Sequence, residues 1–74
     1  MSNRKLLEDL CKIHKLTVAI REGNVRGVWV WGWSYAGHHK CLGNLSLEEL
    51  DSMSPDQVED FVLECALKEM GNEQ

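Results

Sequence analysis

The chain has 74 residues, of which 43% are hydrophobic and 27% charged, with a single proline. That is a folding composition, not a disordered one, with material for one small core, because a domain of this size buries only roughly 60% of the surface its unfolded chain exposes, and a second independent core is out of reach. The net charge of −4 argues against a nonspecific nucleic-acid binder, yet residues 1–40 carry seven Lys/Arg against three Asp/Glu while residues 41–74 carry Lys68 alone against nine.

Residues 3–14 read as a helix. Leu6, Leu7, Leu10 and Ile13 recur at helical spacing, with His14 near the middle of that face and Cys11 at its edge. From Leu16 to Arg21 the period changes to two: Leu16, Val18 and Ile20 alternate with Thr17, Ala19 and Arg21, a half-buried strand. Gly23-Asn24 marks a hairpin turn. Val28 to Tyr35 is a second strand made almost entirely of β-formers, and Ala36-Gly37 turns the chain into a short third strand over His39 to Leu42. Two helix starts follow. Ser46-Leu47-Glu48-Glu49 opens a short helix over about 46–52, and Ser54-Pro55-Asp56-Gln57 opens a longer one that runs to about Met70, where Gly71 offers a cap. The expected fold is therefore a single α+β domain over 1–74: an N-terminal helix, a three-stranded antiparallel meander, a short helix and a C-terminal helix, with the helices on one face of the sheet.

This element order is similar to that of double-stranded-RNA-binding domains and of some small phage-encoded inhibitors of host defence nucleases. The likeness is one of order alone and covers most of the chain. Where the RNA-binding family places lysines at the start of its last helix, this chain has Pro55, Asp56 and Gln57.

Trp29, Trp31, Trp33 and Tyr35 share one face of the second strand, and Val28 and Val30 share the other. Register decides which face is buried. A two-residue Gly23-Asn24 loop pairs Val18 with Trp29 and Leu16 with Trp31, and so puts the tryptophans in the core. A three-residue Glu22-Gly23-Asn24 loop reverses that outcome. The turn chemistry favours the first, with Trp31 central and buried, although it sets Arg21 against Arg26. In either register Trp33 and Tyr35 lie beyond Leu16 and offer a partial aromatic platform.

Cys11-x-x-His14 and His38-x-x-Cys41 form a weak Cys₂His₂ candidate for zinc, with the second pair in reversed order. Apolar surroundings and the scattered positions argue against it, so the expectation is folding with neither metal, cofactor nor disulfide. Phosphate-binding glycine loops, nucleophile elbows and cofactor motifs are absent from the sequence, and an enzyme is not expected. No apolar run suggests a signal peptide or a membrane span, which points to the cytoplasm and away from membranes.

The last helix carries two apolar stripes. Val58, Phe61, Val62 and Cys65 suit the core. Leu63, Leu67 and Met70 form a second stripe that a helix packed on a sheet does not need, unless the short helix covers it. Asp60 and Glu64 lie beside it. The leading expectation is a non-enzymatic protein-binding module, of the kind a phage or mobile element uses as an inhibitor or adaptor. It would act through Leu63, Leu67, Met70, Asp60 and Glu64, with Trp33 and Tyr35; the same stripe would serve a homodimer. The alternative is nucleic-acid binding through Arg4, Lys5, Lys12, Lys15, Arg21, Arg26 and Lys40 together with the strand aromatics.

Overall fold

The computed structural model describes residues 2–32 and 41–71. The elements run α1 (Asn3–Ile13), β1 (Thr17–Glu22), β2 (Arg26–Trp31), β3 (Cys41–Leu45), α2 (Leu47–Ser52) and α3 (Pro55–Gly71). The strands form an antiparallel sheet in the order β1-β2-β3. Leu7 and Cys11 from α1, Leu47 and Leu50 from α2, and Val58, Val62 and Cys65 from α3 share one core with Val28 and Val30 of the sheet. All three helices thus cover the same face, α1 over β1 and α3 over β3, with α1 and α3 side by side.

Local hydrogen bonds explain the helix limits. Ser2 caps α1 by accepting from the Lys5 amide at 3.2 Å. Both helix starts expected at Ser46 and Ser54 form as capping boxes: Ser46 and Glu49 exchange bonds at 3.0 and 3.1 Å, as do Ser54 and Gln57 at 3.2 and 2.9 Å. At the far end of α1, the Leu16 amide donates to the Cys11 carbonyl at 2.7 Å and the Lys15 amide to that of Lys12 at 3.2 Å. This is a Schellman cap, with Lys15 in the left-handed position at φ 59. His14 is therefore the C-cap residue and not a central member of the apolar face. Ile13 is also displaced from its expected core position: it closes the helix and is 70% exposed.

The hairpin takes neither of the two registers weighed from the sequence, and shares with the Glu22-Gly23-Asn24 loop only the outcome that the tryptophans face away from the core. Thr17 pairs with Trp31, Val18 with Val30, Ala19 with Trp29, Ile20 with Val28 and Glu22 with Arg26. The loop is Gly23-Asn24-Val25. Val28 and Val30 are fully buried, whereas Trp29 and Trp31 are only half-buried on the opposite face and belong to no part of the core. Trp31 is accordingly neither central nor buried. Three physical reasons converge. A two-residue loop requires positive φ in the turn, and neither Gly23 nor Asn24 adopts it. The observed register replaces the Arg21–Arg26 opposition with Glu22 against Arg26. The helical layer also lies close to the sheet: a methyl group at Gly43 would come within 2.7 Å of the Phe61 ring and 2.8 Å of the Cys65 sulfur. Valines suit that spacing, and indoles would hold the layers apart.

On the outer face the Trp29 indole lies over Gly27, whose φ of 150 no other residue adopts readily. Among the described residues the third strand runs on past Leu42 to Leu45, and the pairing shifts between Val30 and Trp31. That bulge turns Leu42 into the core, at 4% exposure. Its carbonyl accepts from Lys68 Nζ at 3.2 Å, so α3 supplies the partner that the bulge removes.

Candidate functional site

α3 presents two sides. Its inner side buries Val58, Val62 and Cys65. Leu63, Leu67 and Met70 stand on the outer side at 40%, 66% and 69% exposure. The short helix α2 does not cover them. It buries Leu47 and Leu50 and is fixed from α1, where the Asn3 side-chain amide donates to the Leu50 and Met53 carbonyls at 2.7 and 2.6 Å. The Leu50 carbonyl also accepts from the Met53 amide at 3.2 Å, so the Asn3 amide adds a second bond there and caps the Met53 carbonyl just past the end of α2. Asp60 and Glu64 are exposed beside the stripe and make no ion pair among the described residues. Apolar side chains flanked by unpaired carboxylates can bury area against a partner and select its charge, but hold no catalytic constellation.

The basic residues do not form one patch. Arg4 spans three elements, binding Glu22 of β1 at 2.9 Å and Asp51 of α2 at 3.0 Å. The Arg4 guanidinium bond holds the Asp51 carboxyl below its ordinary range. Lys5 pairs with Asp9 one turn along α1 at 3.2 Å. Arg26 pairs with Glu48 at 3.0 Å; the Glu48 carboxyl is lowered first by its own backbone amide at the start of α2 and then by Arg26. Lys12, Lys15 and Arg21 have no ion-pair partner among the described residues. Lys5, Glu8, Asp9 and Lys12 of α1 line an open groove of about 420 Å³ against Thr17 and Val18 of β1. Its walls carry both signs and give no anion-attracting field.

Cys11 is 1% exposed, and burial, followed by the nearby Cys65, pushes its thiol up to about 11. Burial raises Cys65 as well. These are inert core thiols, not ready thiolate ligands or nucleophiles. Cys41 is exposed on β3, and His14 is half-buried at the end of α1. Among the described residues no group of three or more His, Cys, Asp or Glu is placed to hold a metal ion. His38, Trp33, Tyr35 and Lys40, which complete the metal, platform and basic sets, lie outside the described residues.

Two exposed apolar residues escape the sequence reading: Ile13 and Val25, at 70% and 69%. Spacing assigns Ile13 to the core only if the apolar face is centred on Leu10. Centring it on Leu7 and Cys11, four apart, would have placed Ile13 on a flank. No described helix is long and apolar enough to cross a membrane. No protein family, curated protein or solved structure matches the chain.

Proposed function

We propose that this chain is a non-enzymatic protein-binding module that docks through the outer side of α3. The observation that carries this reading is the exposure of Leu63, Leu67 and Met70 at 40%, 66% and 69% on one helix. Burying such side chains against a partner gains about 25 cal/mol per Å² removed from water. Asp60 and Glu64 beside them favour a partner with basic residues at the rim. An inhibitor that occupies a basic, nucleic-acid-binding surface of its target fits this combination of a short apolar stripe and an acidic margin.

Site-directed photo-crosslinking tests the reading. A crosslinking side chain at Leu67 should capture a discrete protein, and Leu63→Lys should abolish the adduct. The same probe at Thr17, on the other side of the sheet, should capture none. Adducts that form at Thr17 and not at Leu67 would displace the proposal.

A second reading, nucleic-acid binding, draws on a different observation: Trp29 and Trp31 stand on the face that no described helix covers, in line with Arg21. Bases stack on aromatic side chains at about 1–3 kcal/mol each. Binding of a single-stranded oligonucleotide that falls steeply with salt and is lost in Trp31→Ala would favour this reading over the first.

A further inference from the structure

We infer that the docking surface is a groove shared by α1 and α3, and that its occupant is an amphipathic helix bearing lysine or arginine along the margin that meets α3. The inference rests on the reading of α3 as a protein-docking helix and names the partner's form and chemistry.

The groove follows from how the two helices sit. α1 and α3 run in the same direction. The start of α1 meets the segment just before α3, where Asn3 bonds the Met53 carbonyl, and further along Cys11 and Cys65 lie close enough in the core to influence each other. On α1, Lys5, Glu8, Asp9 and Lys12 face the β1 side, where they wall the open groove against that strand. Helical spacing puts Leu6, Leu10 and Ile13 on the opposite flank, which is the flank next to α3. On α3, Phe61 and Lys68 reach toward β3 at Gly43 and Leu42. Leu63 and Met70 therefore fall on the flank toward α1, with Leu67 above them. Leu6 and Leu10 are half-buried at the base, and Ile13, Leu67 and Met70 stand at the top with most of their surface exposed.

The shape and charge of this surface choose the occupant. Neighbouring helices pack with axes about 8–10 Å apart, which leaves between them a furrow that fits the ridge of a third helix. Asp60, Glu64 and Lys68 follow one row along α3 at four-residue spacing, on the β3 side of Leu67; the Lys68 ammonium at the end of that row is engaged by the Leu42 carbonyl at 3.2 Å, which leaves the two carboxylates as the charges along the outer margin of the groove. A second copy that packed α3 against α3 across a two-fold axis would bring like-charged margins together. A helix with basic residues on that side gains from the same charges and is attracted to them before contact.

A direct test uses the full chain labelled with ¹⁵N and a synthetic helical peptide of about four turns, with leucines on one face and lysines on both flanks. A second peptide carries glutamate in place of every lysine. The lysine peptide should bind and move the amide signals of both Leu10–Ile13 and Leu63–Met70. Ile13→Lys and Leu67→Lys should each weaken it by about tenfold or more, with circular dichroism unchanged. Ile13→Ala and Leu67→Ala serve as milder variants should either lysine perturb the fold. The glutamate peptide should bind at least about tenfold more weakly, and the paired change Asp60→Lys, Glu64→Lys should reverse that preference. If Leu67→Lys abolishes binding while Ile13→Lys leaves it intact, docking is confined to α3: the shared groove fails and the proposed function stands. If neither variant matters, both fail. Self-association of the chain that Ile13→Lys abolishes would make a second copy the occupant and refute the basic helix. Equal affinity for both peptides, or binding to anionic lipid vesicles in place of the lysine peptide, would also refute it.

Discussion

The molecule has two outer surfaces with apolar side chains, and they are built differently. On the open side of the sheet, Trp29 and Trp31 are half-buried, and the Trp29 ring is seated on Gly27 in a backbone conformation suited to glycine. On the outer side of the helical layer, Leu67 and Met70 stand 66% and 69% exposed, next to unpaired carboxylates. The first surface largely satisfies itself: a large ring covers backbone that has no side chain of its own. The second leaves its apolar area to water. Total aromatic content therefore points to the strand as the functional feature, whereas residual exposure points to the helices, and exposure is the quantity that a partner can convert to binding energy.

The sharpest way to break this comparison is to exchange sides along β2. Val30 is fully buried and its neighbour Trp31 is not. Val30→Asp should cost about 4 kcal/mol or more, because it places a carboxylate in the core without a partner. Trp31→Asp should cost about 1–2 kcal/mol, the loss of a partly covered side chain. Urea unfolding of the two variants measures both. If Trp31→Asp proves the more damaging, the two-residue loop register is correct and the tryptophans form the core.

The next effect concerns the closeness of the layers. Gly43→Val adds atoms where even a Cβ would lie 2.7 Å from the Phe61 ring. It should cost about 1–3 kcal/mol, as overpacking does. Gly23→Ala is the matched control, since nothing lies within 4 Å of the added atom, and it should stay within about 0.5 kcal/mol. Thermal melts separate the two. An innocuous Gly43→Val would mean that α3 can lift from the sheet, and the argument that valines rather than indoles suit this spacing would weaken with it.

These cases also mark what the sequence made legible. The element order and both capping boxes could be read because each rests on contacts within a few residues: Ser46 with Glu49, Ser54 with Gln57. The second stripe on α3 was legible from helical spacing, but whether α2 covers it was not, because that depends on where Asn3 fixes the short helix. The hairpin register was not, because Gly23-Asn24 suits a two-residue turn locally, and the longer loop is favoured by terms that the turn does not contain: the Glu22–Arg26 pairing across the strands and the packing of the layers. The Leu42 bulge left no local signal, and the carbonyl it frees is bonded by Lys68, 26 residues away. Ile13 looked like core because its spacing from Leu6 and Leu10 is correct, and only the position of α3 makes that flank a groove wall. Trp33 and Tyr35 lie outside the described residues.

A smaller effect tests the connection between helix and strand. Lys15 holds φ 59 at the end of α1 without being glycine, at a cost of about 1 kcal/mol. Lys15→Gly should relieve that strain and raise stability by about 0.5–1 kcal/mol, with no change in register. Denaturant midpoints would show this as a shift at constant slope. A loss of stability would mean that Lys15 makes contacts that outweigh its backbone strain.

The smallest effect on stability should come from Leu67→Lys, and it is the most informative about function. Leu67 is 66% exposed, so a lysine there keeps its stem along the helix and its ammonium in water. Neither the core at Val62 and Cys65 nor the cap at Ser54 is touched. The change should stay within about 0.5 kcal/mol by urea unfolding. It also places a positive charge one turn from Glu64 on α3 (Asp60 lies a further turn back), which adds a weak favourable pairing on the helix surface. Association through this face should nevertheless fall by about tenfold or more, because the partner must now cover a charge where it met an apolar side chain. Trp29→Lys on the sheet face should do the opposite. It uncovers Gly27 and costs stability, while leaving association through α3 unchanged. The pair of variants thus sorts the two outer surfaces by whether a substitution is read in folding or in binding. If Leu67→Lys unfolds the domain while leaving the affinity of the folded fraction intact, the stripe is structural and the sheet face becomes the stronger candidate.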